Sequence, residues 1–350
     1  MTATRTAVGV LGVLGGLGVL GVLGVLGAVH VLDTGGRRVM GRGPRRERVG
    51  QHGAMRTKIL VLVALVTVGT VALPPAAQAR ARSSSPTYYV SLGDSYSVGY
   101  QPGLGSTPGY TAYVAARTHM TLVSFGCAGA TTTSILDSVG CPAIFRDTPG
   151  GVTYPTLTQA AAAEAFITAH RGHIGLITVT IGVNDVTGCM RLATGSVTCA
   201  SGVVKNTAGN VTTLTSDLRR DAGPKVPIIG LTYPDMFLGG YVYPTVPPTT
   251  AQVDQATTSV PIFKHLLNPV LAKAYASSAA VLVDVTAATG AYTPFGRTVK
   301  TKAYGTIPVA VARVCTFTWF CGLGDVHPTT AGYTLMGRLV VARYRAMRKR

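Results

Sequence analysis

The sequence predicts an α/β domain, a parallel sheet with helices on both faces. Two observations predict it. Five short Val/Ile-rich runs are apolar almost throughout, as strands covered on both sides must be. Between them lie Ala-rich stretches of helical length, and this alternation is the signature of a sheet layered with helices. In chain order the strands are expected at 87–92, 121–125, 174–181, 226–232 and 280–285. The helices are expected at 109–119, 156–170, 203–222, 253–278 and 329–346. Runs such as Ile177-Thr178-Val179-Thr180-Ile181 place β-branched residues where a pleated surface favours them. Pro328 followed by Thr329-Thr330 reads as the entry to the last helix. The intervals 140–155, 186–202, 234–252 and 290–324 are rich in Gly, Pro and Thr. They are long for plain connectors and are expected to be functional loops.

The 350 residues do not all belong to this domain. Residues 7–32 form a Gly/Val/Leu repeat with no charged residue before Asp33. Met55 then opens a complete secretory leader: Arg56 and Lys58, an apolar stretch from Ile59 to Val71, and the small-x-small site Ala77-Gln78-Ala79. The expected organisation is a low-complexity extension at 1–54 that is not native or not in the mature protein, a signal peptide at 55–79, and one domain at 80–350. The alternative for the extension is an N-terminal membrane anchor, since its apolar run is long enough to span a bilayer.

After residue 79 stand 22 Lys and Arg against 11 Asp and Glu. The bases are thinly spread except in the tail 338–350, with no aromatic interleaving and no recognition motif, so a nucleic-acid partner is not expected. Solubility or transient contact with an anionic lipid surface explains the balance better. All six cysteines follow the leader, which favours disulfides in an oxidising compartment. Their spacing suggests neighbours: Cys127–Cys141, Cys189–Cys199 and Cys315–Cys321. No cofactor or metal is expected, because the chain has no glycine-rich phosphate loop, no C-x-x-C pair and no histidine cluster.

Four segments carry the chemistry. Gly93-Asp94-Ser95-Tyr96-Ser97 closes the first strand, where a serine hydroxyl is expected at a strand-to-helix corner with the N–H groups of the next helix around it. Gly129 lies in Cys127-Ala128-Gly129-Ala130-Thr131-Thr132, and Asn184 in Ile181-Gly182-Val183-Asn184-Asp185. His327 lies in Asp325-Val326-His327-Pro328-Thr329. A serine needs a base, and histidine titrates in the right range. His119, His170, His173 and His265 fall at helix ends, in a polar linker or within a helix. His327 sits in a loop able to face the sheet edge. The tetrahedral oxyanion needs donors, for which the Ser95 N–H, the Gly129 N–H and the Asn184 amide are candidates.

These four blocks resemble those of the SGNH branch of the GDSL lipase/esterase hydrolases, over residues 93–328. The resemblance implies a three-layer α/β/α sandwich with a central parallel sheet of about five strands. It also implies a metal-independent hydrolase with Ser95 as nucleophile and His327 as base. Its oxyanion donors would be Ser95, Gly129 and Asn184. The Cys-rich form resembles secreted actinobacterial lipases and esterases, so the expected protein is a secreted, monomeric carboxylester hydrolase acting on an ester or lipid. A polysaccharide deacetylase and a non-catalytic secreted binding protein are the alternatives. The family usually carries Asp three residues before the histidine; here that position is Gly324 and Asp325 stands two before. The Gly324 carbonyl is therefore the favoured partner of the His327 Nδ1–H, because a spacing of two aims neighbouring side chains apart in an extended segment. The Asp325 carboxylate is the alternative. Tyr233, Phe237, Tyr241, Tyr243, Phe295 and Trp319 are candidates to line an acyl groove, with packing anchors the favoured role.

Overall fold

A computed structural model describes residues 87–192 and 194–349. The extension expected at 1–54, the signal peptide expected at 55–79 and the leader up to residue 86 lie outside the described residues.

Five parallel strands make the sheet: β1 (Tyr88–Gly93), β2 (Thr121–Ser124), β3 (Ile174–Thr180), β4 (Ile228–Leu231) and β5 (Val281–Val283). They lie in the order β2-β1-β3-β4-β5, the flavodoxin-like arrangement, whose direction reverses beside β1 and opens a crevice at the carboxyl ends of the strands. The register pairs Ser91 with Ser124 on one side and Leu92 with Val179 on the other. Near-complete burial of β1, β3 and β4 agrees with their unbroken apolar sequences.

Helix α1 (Gly109–Thr118) packs against α7 (Thr330–Arg348) on one face. On the other, α3 (Ser196–Ala222) packs against α2 (Gln159–Ala169) and α5 (Asn268–Ser277). The result is the three-layer sandwich that the family resemblance implies. The stretch expected as one helix over 253–278 begins as α4 (Thr250–Pro261), widens to one π-helical segment at Ile262–Leu267 and continues as α5. Thr249 and Gln252 form its capping box.

Two expected loops are more ordered than composition suggests. Helix α3 starts at Ser196 rather than 203, next to the Cys189–Cys199 bridge. Within 290–324 the chain forms a two-stranded hairpin, Thr298–Thr301 with Gly305–Pro308, and then α6 (Val309–Phe317). The β-branched residues of α6 are poor helix formers; burial of Ala310, Val311 and Val314 overrides that preference. Cys127–Cys141, Cys189–Cys199 and Cys315–Cys321 are all bonded. Among the described residues no helix is long and apolar enough to cross a membrane.

Candidate active site

The site lies at the carboxyl ends of β1, β2 and β3, and its geometry begins with Gly93. This residue has φ of 136°, and a Cβ there would stand 2.1 Å from the Thr180 carbonyl oxygen of β3. Only glycine fits so close an approach in that conformation. Where β2 diverges, the side chain of Gln159 takes over the pairing: Gly93 N–H donates to Oε1 at 2.7 Å, and Nε2 donates to Gly93 O at 3.1 Å. Cys127 N–H reaches the same carbonyl at 2.9 Å. The end of β1 is thereby tied to both flanking loops.

Ser95 follows, 7% exposed. The expectation that it opens a helix is corrected. The chain runs through tight turns to residue 99, then the short strands Tyr100–Gln101 and Gly105–Ser106, and reaches α1 only at Gly109. Asp94 drives this local folding. Its Oδ1 accepts the Tyr96 N–H at 2.9 Å and its main-chain carbonyl accepts the Ser97 N–H at 3.0 Å. Among the described residues neither the Ser95 N–H nor the Gly129 N–H has a partner. Gly129 has φ of 82°, while a Cβ there would meet nothing within 4 Å. The conformation, not crowding by the protein, calls for glycine. The Asn184 Nδ2 donates to the Ala130 carbonyl at 2.9 Å, which holds one amide hydrogen beside Gly129 and leaves the second for another acceptor. Asp185 anchors the same turn through Thr132, whose N–H and hydroxyl donate to it at 3.0 and 2.6 Å.

In the loop that precedes α7, His327 Nδ1 lies 2.8 Å from Asp325 Oδ1. The preference for the Gly324 carbonyl is corrected. The argument for it assumed an extended segment, but the His327 N–H also donates to Asp325 Oδ1, at 2.9 Å. This Asx turn curls the chain until both nitrogens converge on one oxygen. Burial pushes the Asp325 carboxyl up, but the hydrogen bonds from the His327 ring and backbone outweigh it, and the net shift is downward. With Nδ1 bound to a carboxylate, Nε2 is the nitrogen left to take a proton.

The Ser95 turn and the His327 loop are linked directly. Tyr96 OH donates to the Val326 carbonyl at 2.6 Å. Tyr100, whose N–H bonds Ser95 O at 3.0 Å, sets its ring 4.5 Å from the imidazole, centroid to centroid. Sequence reasoning missed Gln159, Tyr96 and the Asp185–Thr132 pair; Asp185 and Thr132 were visible only as neighbours of motif residues. Five of the six aromatics considered for an acyl groove serve packing, while Tyr243 is 36% exposed. Tyr233 and Phe237 are buried, Phe295 packs with Tyr241, and Trp319 Nε1 donates to Gln101 at 3.3 Å.

A family model for GDSL-like lipases and acylhydrolases matches residues 91–335. The chain belongs to that family. No curated protein matches the sequence. Among solved structures, this GDSL-family chain is similar to a protein from Desulfitobacterium hafniense DCB-2 described as a lipolytic member of the G-D-S-L family. They share 12% identity over 73% of this chain and 98% of that one, at a TM-score of 0.35. It is similar also to a carbohydrate esterase of family 3 from Talaromyces cellulolyticus, with 12% identity over 75% and 99% of the two chains and a TM-score of 0.38. Among the described residues no group of His, Cys, Asp and Glu is arranged to hold a metal ion.

Proposed function

We propose that the protein is a secreted serine carboxylester hydrolase in which Ser95, His327 and Asp325 act as a triad. The observation that carries this reading is the placement of His327: Nδ1 fixed on Asp325 and the loop fastened to the Ser95 turn through Tyr96. The unpartnered N–H groups of Ser95 and Gly129 and the Asn184 amide support an oxyanion hole across from it. Ser95 Oγ attacks the ester carbonyl carbon while its proton passes to His327 Nε2. Collapse of the tetrahedral intermediate breaks the bond to the alcohol oxygen, which takes that proton. Water, deprotonated by the same nitrogen, then attacks the acyl-serine carbonyl; the bond to Ser95 Oγ breaks as Oγ takes the proton back from Nε2, and the acid is released. Asp325 holds the ring and offsets the charge of the imidazolium. The leader-like segment at 55–79 and the three disulfides support secretion.

A fluorophosphonate ester tests the assignment. It is expected to label the protein at Ser95, and Ser95→Ala is expected to lose both the label and roughly a millionfold in kcat while melting at the wild-type temperature. A variant that keeps a tenth of the turnover would place the nucleophile elsewhere.

A further inference from the structure

A cavity of about 310 Å³ opens beside Gly129. Its wall comes from the oxyanion loop itself, Cys127 to Ala130, and from the segment that the Cys127–Cys141 bridge ties to that loop. Ser138, Val139, Pro142 and Phe145 line the far side, with Tyr154 and Gln159 below. None of the lining residues is charged. The wall is braced at both ends: Ala128 N–H donates to Phe145 O, and Gly140 N–H to Leu157 O, each at 2.8 Å. Gln159, which contributes to the lining, is the residue whose amide grips Gly93, two positions before the nucleophile.

Val139 and Phe145 are 63% and 41% exposed, and Ile144 and Leu157 stand exposed beside them. Val139 and Phe145 line the cavity itself, and large apolar side chains left exposed at such a site mark a surface suited to an apolar ligand. The volume sits at the low end of the roughly 300–1,000 Å³ typical of small-molecule sites. It holds one side of an ester rather than a whole lipid.

We infer that this cavity receives the acyl group of the substrate, an uncharged aliphatic chain of medium length, and that the bridged 138–145 segment sets the length accepted. The inference rests on Gly129 as an oxyanion donor: a carbonyl oxygen held there directs the attached acyl chain into the neighbouring space. Each methylene that enters the cavity raises kcat/KM by roughly fourfold, the ratio given by the transfer free energy of one CH₂ group, until the cavity is full. The absence of a basic residue in the lining excludes acyl groups with a terminal carboxylate from the preferred substrates.

The test fills the cavity from its exposed wall. Val139→Trp and Ser138→Phe change side chains that face solvent, so the fold tolerates both. Hydrolysis of p-nitrophenyl acetate, butyrate and octanoate is measured for the disulfide-bonded protein and each variant. The wild type is expected to favour octanoate over acetate, and the octanoate-to-acetate ratio of kcat/KM is expected to fall at least tenfold in either variant. A ratio unchanged or raised in both, with Ser95 still labelled by fluorophosphonate, overturns the acyl pocket and leaves the hydrolase reading standing. A wild type that cleaves acetate alone also overturns it. Failure of the wild type to take the label at Ser95 removes the hydrolase reading and the pocket together.

Discussion

Asp94 and Asp325 flank the same site, and their surroundings drive them in opposite directions. Asp94 is fully buried beside Ser95 and takes a hydrogen bond from Tyr233 OH at 2.5 Å and one from the Tyr96 N–H. Burial raises its carboxyl to about 7 despite those bonds. Asp325 remains 26% exposed and is held below the usual carboxylate range, because the bonds from His327 outweigh its partial burial. When environments separate two acids in this way, they separate their tasks. The carboxylate that stays charged is the one able to stabilise an imidazolium. The one buried among tyrosines shapes the turn that presents the serine.

The sharpest way to break that division is Asp325→Asn. If the charge orients His327 and stabilises its cation, the substitution lowers kcat by roughly 10³–10⁴-fold, as loss of the triad acid does elsewhere. Steady-state kinetics on the folded variant decide it, and a loss below tenfold would return the role to the Gly324 carbonyl. Next in size, if the Asn184 amide meets charge that exists only in the transition state, Asn184→Ala is expected to lower kcat by roughly 10²–10³-fold with KM nearly constant. A rise in KM with kcat held would make Asn184 a ground-state contact.

Smaller effects sharpen the comparison. Tyr96→Phe keeps the ring and removes the hydroxyl that holds Val326, so kcat is expected to fall roughly two- to tenfold, the worth of one hydrogen bond, with KM unchanged. The smallest effect is on stability. A carboxyl whose pKa is raised on folding binds more protons when folded than unfolded across the interval between its two values. The contribution of Asp94 to stability therefore falls as pH rises from about 4 to about 7. Asp94→Asn is expected to flatten the decline in urea midpoint over that window. Asp235, also raised to about 7 by burial, keeps part of the slope. An unaltered slope in the variant would show that Asp94 is ionised in the fold.

The sheet was legible in the sequence because each strand carries its own signal. Ile174–Thr180 and Tyr88–Gly93 are apolar whatever their neighbours do. Ser95 and Asn184 could be placed at the sheet edge because they follow those two strands within a few residues. The orientation of His327 was not, since it depends on how Asp325 folds the backbone over two residues, and the spacing alone suggested an extended run. Gln159 was hidden for a different reason. It looks like the first residue of an Ala-rich helix, and only the arrival of that helix beside Gly93, 66 positions away, gives its amide a function. Helix α6 was masked by its β-branched residues, whose local preference is reversed by burial.

The bond from Tyr96 to Val326 spans 230 positions in sequence, and Trp319 reaches back to Gln101 across 218. Contacts of such separation form late, because the loop they close must be ordered before they repay it. The Ser95 turn and the His327 loop therefore meet only when the final stretch of the domain docks against the turn after β1. Esterase turnover thus reports completed folding of the domain, and during refolding it returns after the secondary structure rather than with it.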